Sequence, residues 1–149
     1  MYRFFYYAMM LCYGGLVIET VFLSRDHYRN VNLQPFDMIH AQGSLDINVW
    51  GNVLLFIPLG IYLMIHYKQV ALWAVMLASL CIEILQYIFA RGASDIDDFL
   101  LNTMGGLIGM GLAWILGKCF VDVQKAVAMV SMIIGLPFIG LTLLLFIAN

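Results

Sequence analysis

Carboxylate, amide and guanidinium groups occur at only a few positions within or beside the apolar stretches of this 149-residue chain. Glu83 and Asp98 are candidate general bases, since a positioned carboxylate can take a proton from a substrate. Asp95, Asp97 and Asp98 offer the oxygen ligands that Mg²⁺ or Ca²⁺ prefers in proteins. Arg91 carries a planar guanidinium that suits phosphate or carboxylate. These residue types allow proton transfer, cation binding or anion recognition.

The same residues also have structural interpretations. Ser94 is expected to cap the following helix, with Asp97 at the third helical position returning a hydrogen bond to the Ser94 N–H. Acidic residues in a first helical turn also interact favourably with the helix dipole. Arg91, at the expected end of a helix, could anchor the chain at a membrane interface or pair with an acid of its own loop.

The composition places these residues in a membrane protein. Apolar residues make up 64% of the chain and charged residues 11%, against about 45–50% and about 25% in soluble proteins. This excludes an ordinary soluble domain and a disordered chain. The net charge of -2 argues against a nucleic-acid partner bound through a basic surface. The three cysteines form no Cys-x-x-Cys pair and no Cys/His ligand spacing, so no metal site or cofactor is predicted.

Five apolar runs are long enough to cross a bilayer as helices, which takes about 20 residues. They cover residues 4–23, 49–67, 70–90, 99–119 and 126–148. The first run is expected to be a retained helix, because no small-x-small cleavage site follows it. The sequence therefore predicts an all-α integral membrane protein of one domain, residues 1–149, with about five transmembrane helices. The long connection between helices one and two is expected to contain an interfacial or re-entrant segment.

Five polar residues lie inside these runs. At a rise of about 1.5 Å per residue, all five fall on the side of the membrane that carries the connections 25–48 and 91–98. The residues are Glu19, Asn52, Glu83, Gln86 and Asn102. The sequence therefore predicts one polar pocket, which opens on one face of the membrane.

Helix spacing also groups the polar residues by face. Glu83 and Gln86 are three apart, and Asp98 and Asn102 are four apart, so each pair shares a helix face. Glycines continue the stripe of Asp98 and Asn102, and their spacing would let another helix approach closely.

The positive-inside rule predicts a cytoplasmic N-terminus. In that orientation four basic residues lie inside and three outside, and the polar pocket faces outward. The inside residues are Arg3, Lys68, Lys118 and Lys125, and the outside residues are Arg25, Arg29 and Arg91.

Taken in order, the motifs of this chain resemble the VanZ-like family. They run over residues 32 to 117, which leaves 126–148 as an additional C-terminal helix. The motifs are Asn32-Leu33-x-Pro35-Phe36, Asn52-x-x-Leu55-Phe56-x-Pro58-Leu59-Gly60, Glu83-x-x-Gln86, Arg91 and Asp95-x-Asp97-Asp98-x-x-x-Asn102-x-x-Gly105-Gly106-x-x-Gly109. The resemblance implies a small bacterial cytoplasmic-membrane protein associated with resistance to teicoplanin, a lipoglycopeptide, without strong effect on vancomycin. It carries over no catalytic residue.

Three functions are compatible with these observations. The first is a module that binds or shields a lipid-linked cell-wall precursor or a lipoglycopeptide at the outer leaflet, with membrane lipids as neighbours. The second is an enzyme acting on a polyprenyl-phosphate or other lipid through the carboxylates Glu83, Asp97 and Asp98. In the third, the polar residues only hold the helices together. Ligand contacts are predicted for Asn52, Glu83, Gln86, Arg91, Asp95, Asp97, Asp98 and Asn102.

Overall fold

A computed structural model of the chain describes residues 2–23, 27–37 and 47–133. Within these described ranges, three stretches are helical and apolar enough to cross a membrane, which confirms the helical membrane class. They are Tyr2–Leu23, Val49–Phe89 and Ile96–Cys119. The helices are α1 (Tyr2–Ile18, continued by a π-helical turn over Glu19–Leu23), α2 (Ile47–Tyr67), α3 (Ala71–Phe89), α4 (Ile96–Cys119) and α5 (described over Val123–Ile133).

The stretch Val49–Phe89 is a helical hairpin that reverses at the 3-10 turn Lys68–Val70. The directions follow from the contacts with α4. The backbone carbonyls of Val53 and Ile57 lie against Gly105 and Gly109, so α2 and α4 run the same way. In α3, by contrast, Ser79 contacts Asn102 while Glu83, further along the chain, contacts the earlier residue Asp95. The chain therefore runs in opposite directions in α2 and α3.

Helix α1 lies antiparallel to α2. The Tyr6 ring packs edge-to-face on Tyr62 with centroids 5.2 Å apart, and the Tyr13 hydroxyl donates a hydrogen bond of 2.6 Å to the Leu55 carbonyl. Helix α5 adds Val127 to the core around Tyr6 and Tyr62. The C-terminal helix thus packs into the bundle from its first turns.

An aspartate cap starts α5 outside the apolar helices. The Lys125 backbone N–H donates to the Asp122 carboxylate at 3.0 Å, and this bond lowers the pKa of Asp122 below its usual range. The predicted fifth run, 126–148, is helical over its described part, and residues 134–149 lie outside the described residues. The count of five membrane spans stays a prediction.

In the described ranges, two short strands accompany the helices. β1 (Tyr28–Asn32) and β2 (Arg91–Asp95) pair in parallel, in a register from Tyr28 opposite Arg91 to Asn32 opposite Asp95. The strands could not be predicted from the sequence. Each has only five residues, and its partner strand lies about sixty residues away along the chain. Pro35 and Phe36 form a turn, and Asp37, the last described residue of this stretch, is helical. The rest of the expected interfacial or re-entrant segment, 38–46, lies outside the described residues.

The bundle shows the polarity of a protein whose solvent is lipid. Large apolar side chains such as Leu11, Trp73 and Leu77 are exposed on the helix surfaces, whereas the polar side chains Ser79 and Gln86 are fully buried. Helices in a membrane gain little from burying apolar groups, so packing of small residues and polar contacts between helices hold them together.

Candidate functional site

Polar side chains from α2, α3, α4 and the two strands converge at the end of the bundle where the strands lie. We call Asn52, Glu83, Asp95, Asp97 and Asp98 the polar cluster. Glu83, Asp97 and Asp98 are only 3–5% exposed. Burying a carboxylate in a membrane protein is costly unless it is hydrogen-bonded, and these carboxylates are.

Asp95 and Glu83 join β2 and α4 to α3. The Asp95 side chain caps α4 by accepting the Asp97 backbone N–H at 2.9 Å. Its other oxygen accepts from the Asn32 side chain at 3.1 Å, and its backbone N–H donates to Glu83 Oε2 at 2.8 Å. Capping by Ser94 is therefore wrong by one residue, because Ser94 is held in β2 opposite Val31.

Asp97 and Asp98 occupy the first turn of α4 and bind different elements. Asp97 Oδ1 accepts from the backbone N–H of Phe36, a residue held in a left-handed conformation with φ 65°. Asp98 Oδ1 accepts from the Asn52 amide of α2. These two bonds connect the start of α4 to the turn that follows β1 and to α2.

A second layer of buried polar groups lies next to the cluster. Asn102 Nδ2 donates to Ser79 Oγ at 3.1 Å, and Gln86 Nε2 donates to the Val21 carbonyl in the π-helical turn at 3.1 Å. Within the described part of the chain, the Asn102 and Gln86 carbonyl oxygens are buried without a hydrogen-bond partner. A donor on a ligand or a water could satisfy these acceptors, since buried polar groups are rarely left unpaired.

The Arg91 side chain takes part in none of these hydrogen bonds. Helix α3 ends at Phe89, with Ala90 left-handed at φ 54°, so Arg91 begins β2 instead of ending the helix as expected. Its side chain lines an open groove of about 380 Å³ at the polar end of the bundle. The other groove residues are Ile18, Phe22, Leu23, His27, Leu85 and Phe89.

The carboxylates do not assemble into a metal centre in the described ranges. There, no group of three or more His, Cys, Asp or Glu side chains is placed to hold a metal ion. Asp95 and Asp97 direct oxygens to backbone and amide N–H groups. Glu83 and Asp98 accept hydrogen bonds as well, and a role for either as general base stays a prediction from sequence.

Several contacting groups were missed at the level of sequence. Ser79 lies four residues before Glu83 and seven before Gln86, so helical spacing places all three on one face and could have identified Ser79. The backbone groups of Val21 and Phe36 carried no such signal, because their roles depend on the π-helical turn and a left-handed residue.

Comparison with known proteins agrees with the motif resemblance. The VanZ/LLP1 family profile matches residues 4–117. Protein VanZ of Enterococcus faecium is 40% identical over 90 residues, which cover 58% of this chain and 53% of that protein. The chain thus spans about half the length of this curated relative. No solved structure matches significantly. Because the family profile covers more than half of the chain, this protein belongs to the VanZ/LLP1 family.

Proposed function

We propose that this chain acts in the bacterial cytoplasmic membrane and lowers the action of lipoglycopeptides such as teicoplanin. It does so by binding or shielding a lipid-linked cell-envelope ligand at the outer leaflet. The observation that carries the proposal is the polar cluster, which is concentrated at one end of an otherwise apolar helical bundle. Ionisable residues inside membrane proteins are rare and usually mark a functional pathway or site.

The distribution of basic residues supports an outward-facing cluster. Arg3 lies in the first turn of α1, Lys68 in the 3-10 turn and Lys118 near the end of α4, so all three lie at the end opposite the strands, which carry Arg29 and Arg91. Lys118 Nζ sits 3.6 Å from the centre of the Trp114 ring, and both side chains are enriched at membrane interfaces. Because basic residues favour the cytoplasmic side, the polar cluster faces the other leaflet.

A purely structural role is the competing explanation. Asn52, Ser79 and Asn102 all bond between helices, and such bonds would stabilise the bundle without any ligand. The two explanations differ in one respect. A structural role predicts that loss of protection always follows loss of folded protein, whereas a ligand site allows a folded but inactive variant.

Drug susceptibility in a sensitive Gram-positive host tests the proposal. We expect the wild-type chain to raise the inhibitory concentration of teicoplanin several-fold and to leave vancomycin nearly unchanged. Asp98→Asn, which keeps the side-chain shape and removes the charge, should abolish protection at matched membrane levels. Asp122→Asn is the matched control, because Asp122 lies at the opposite end of the bundle.

The possible results separate the explanations. Protection by wild type and by Asp122→Asn, with none from folded Asp98→Asn, supports the proposal. No protection by wild type refutes it. If Asp98→Asn loses its native melting transition in detergent whenever it loses protection, the structural explanation is correct.

A further inference from the structure

We propose that the groove beside Arg91 binds one membrane lipid with a phosphate head group, which the Arg91 guanidinium holds while the lipid chain lies along the apolar walls. This inference deepens the proposed function and rests on it for the placement of the groove in the outer leaflet. It assigns the chemical class of the lipid-linked ligand.

The walls of the groove fit a hydrocarbon chain. Ile18 and Phe22 come from the end of α1, and Leu85 and Phe89 come from the last turns of α3. The groove volume of about 380 Å³ falls within the range of about 300–1,000 Å³ that is usual for ligand sites. The groove is open, so a lipid can enter sideways from the bilayer without a path through the protein.

The cation in this groove lacks a compensating anion in the described part of the chain. No hydrogen bond or ion pair joins the half-buried Arg91 guanidinium to a described residue there. The nearby carboxylates of Asp95 and Asp97 accept hydrogen bonds from Asn32 and from the Phe36 N–H instead. A charged group at the edge of an apolar region is stabilised by a counter-charge, and an anionic ligand supplies one.

A phosphate head matches this cation better than other lipid heads. The guanidinium presents paired N–H donors that meet two phosphate oxygens at once, and the bond is charge-assisted. The hydrocarbon chain of the lipid contributes less to binding than the phosphate does. Moving it from the bilayer to the groove gains little from the hydrophobic effect. Arg91 should therefore contribute most of the affinity, and the apolar walls should favour a lipid phosphate over free phosphate.

Binding by the purified full-length chain in an uncharged detergent tests the site. The probes are farnesyl phosphate, farnesol and inorganic phosphate. We expect farnesyl phosphate to bind wild type most tightly and Arg91→Gln to bind it roughly tenfold to a hundredfold more weakly, the loss typical of one charge-assisted contact. Arg91→Lys should fall between the two, because it keeps the charge without the paired donors.

Arg29→Gln is the matched control. Arg29 is exposed on β1, donates to the Ile88 carbonyl at 2.9 Å and lies over the Tyr87 ring, so its loss should leave farnesyl phosphate affinity unchanged. If Arg91→Gln does not fold, Leu85→Trp fills the groove, keeps Arg91 and should also abolish binding.

Three results would overturn the inference. Arg91→Gln could bind farnesyl phosphate as tightly as wild type, farnesol could bind as tightly as farnesyl phosphate, or inorganic phosphate could bind as well as the lipid. Susceptibility tests keep this inference separate from the proposed function. Arg91-dependent binding without teicoplanin protection refutes the function alone, and protection without such binding refutes the lipid site alone.

Discussion

Asp98 is a buried carboxylate that accepts a hydrogen bond from a different helix. Only 3% of the residue is exposed, and the amide of Asn52 donates to its Oδ1 atom. In a low-dielectric interior, a hydrogen bond to a charged group is worth more than one between neutral groups. Removing the donor leaves a desolvated charge, which costs more than the bond itself contributes. The pair therefore sets the position of α2 against the start of α4.

A double-mutant cycle on this pair gives a residue-scale prediction. Asn52→Ala should lower the free energy of unfolding in detergent by about 2 kcal/mol, since it leaves the Asp98 carboxylate short of a donor. Asp98→Ala should also destabilise, and the double variant should lose less than the sum of the two single losses. Strictly additive losses would show that the two side chains do not act as a pair.

Close contact of α2 with α4 depends on glycine at the element scale. A Cβ atom added to Gly109 would lie 2.1 Å from the Ile57 carbonyl oxygen, and one added to Gly105 would lie 2.1 Å from the Val53 carbonyl oxygen. Real Cβ atoms do not approach backbone this closely, so any larger residue must push the helices apart. This separation would also pull Asn52 away from Asp98.

Two glycines of the same helix provide a matched comparison. Gly109→Ala should lower the free energy of unfolding by about 1–3 kcal/mol, the usual cost of overpacking. Gly111→Ala meets nothing within 4 Å and should be neutral or stabilising by up to about 1 kcal/mol, since alanine is the better helix former. Thermal unfolding of both variants in detergent checks this. Equal effects would mean that α2 and α4 are not in close contact at Gly109.

The positions of the helices were predictable from the sequence, whereas the pairing of β1 with β2 at the polar end was not. Apolar runs placed α2, α3 and α4 within a few residues of their observed bounds, because membrane helices must be long and apolar. The glycine spacing on α4 likewise indicated a close helix contact, which is observed. The β1–β2 pairing depends on contacts between distant residues, and neither strand shows an alternating apolar pattern that could have revealed it.

Helical spacing predicted that Asn52, Glu83 and Asp98 lie at one end of the bundle, and the structure places them there, with Asn52 bonded to Asp98 and Glu83 bonded to Asp95 of β2. Their role as ligand contacts stays a prediction. The position of Arg91 depended on where α3 ends, and α3 ends before the left-handed residue Ala90. Sequence alone could not separate an anion site at Arg91 from an ion pair with its own loop.

At the scale of the whole molecule, the two ends of the bundle differ in chemistry. One end carries Arg3, Lys68, Lys118 and Lys125, and the other carries the polar cluster and the strand residues Arg29 and Arg91. The positive-inside rule predicts the direction of membrane insertion from such an asymmetry. All of the proposed chemistry depends on which end faces the cell exterior.

Cysteine labelling in intact cells tests that orientation. Cys119 ends α4 at the basic end, and the exposed Gln34 lies at the polar end. With Cys12 and Cys81 replaced by alanine, a membrane-impermeant maleimide should label Gln34→Cys in intact cells and Cys119 only after permeabilisation. The reverse pattern would place the polar cluster in the cytoplasm and contradict the proposed function.

The parallel pairing of β1 and β2 also orders the assembly of the protein in time. β1 precedes α2 and β2 follows α3, so the strands can meet only after the whole α2–α3 hairpin has been made. Contacts between such distant residues form late, because the chain between them must first be arranged. The Asn32–Asp95 and Phe36–Asp97 bonds likewise need residues that are made after the hairpin. The polar end is thus completed only once β2 and the start of α4 have been synthesised, and a chain stalled before β2 would leave β1 without its partner strand.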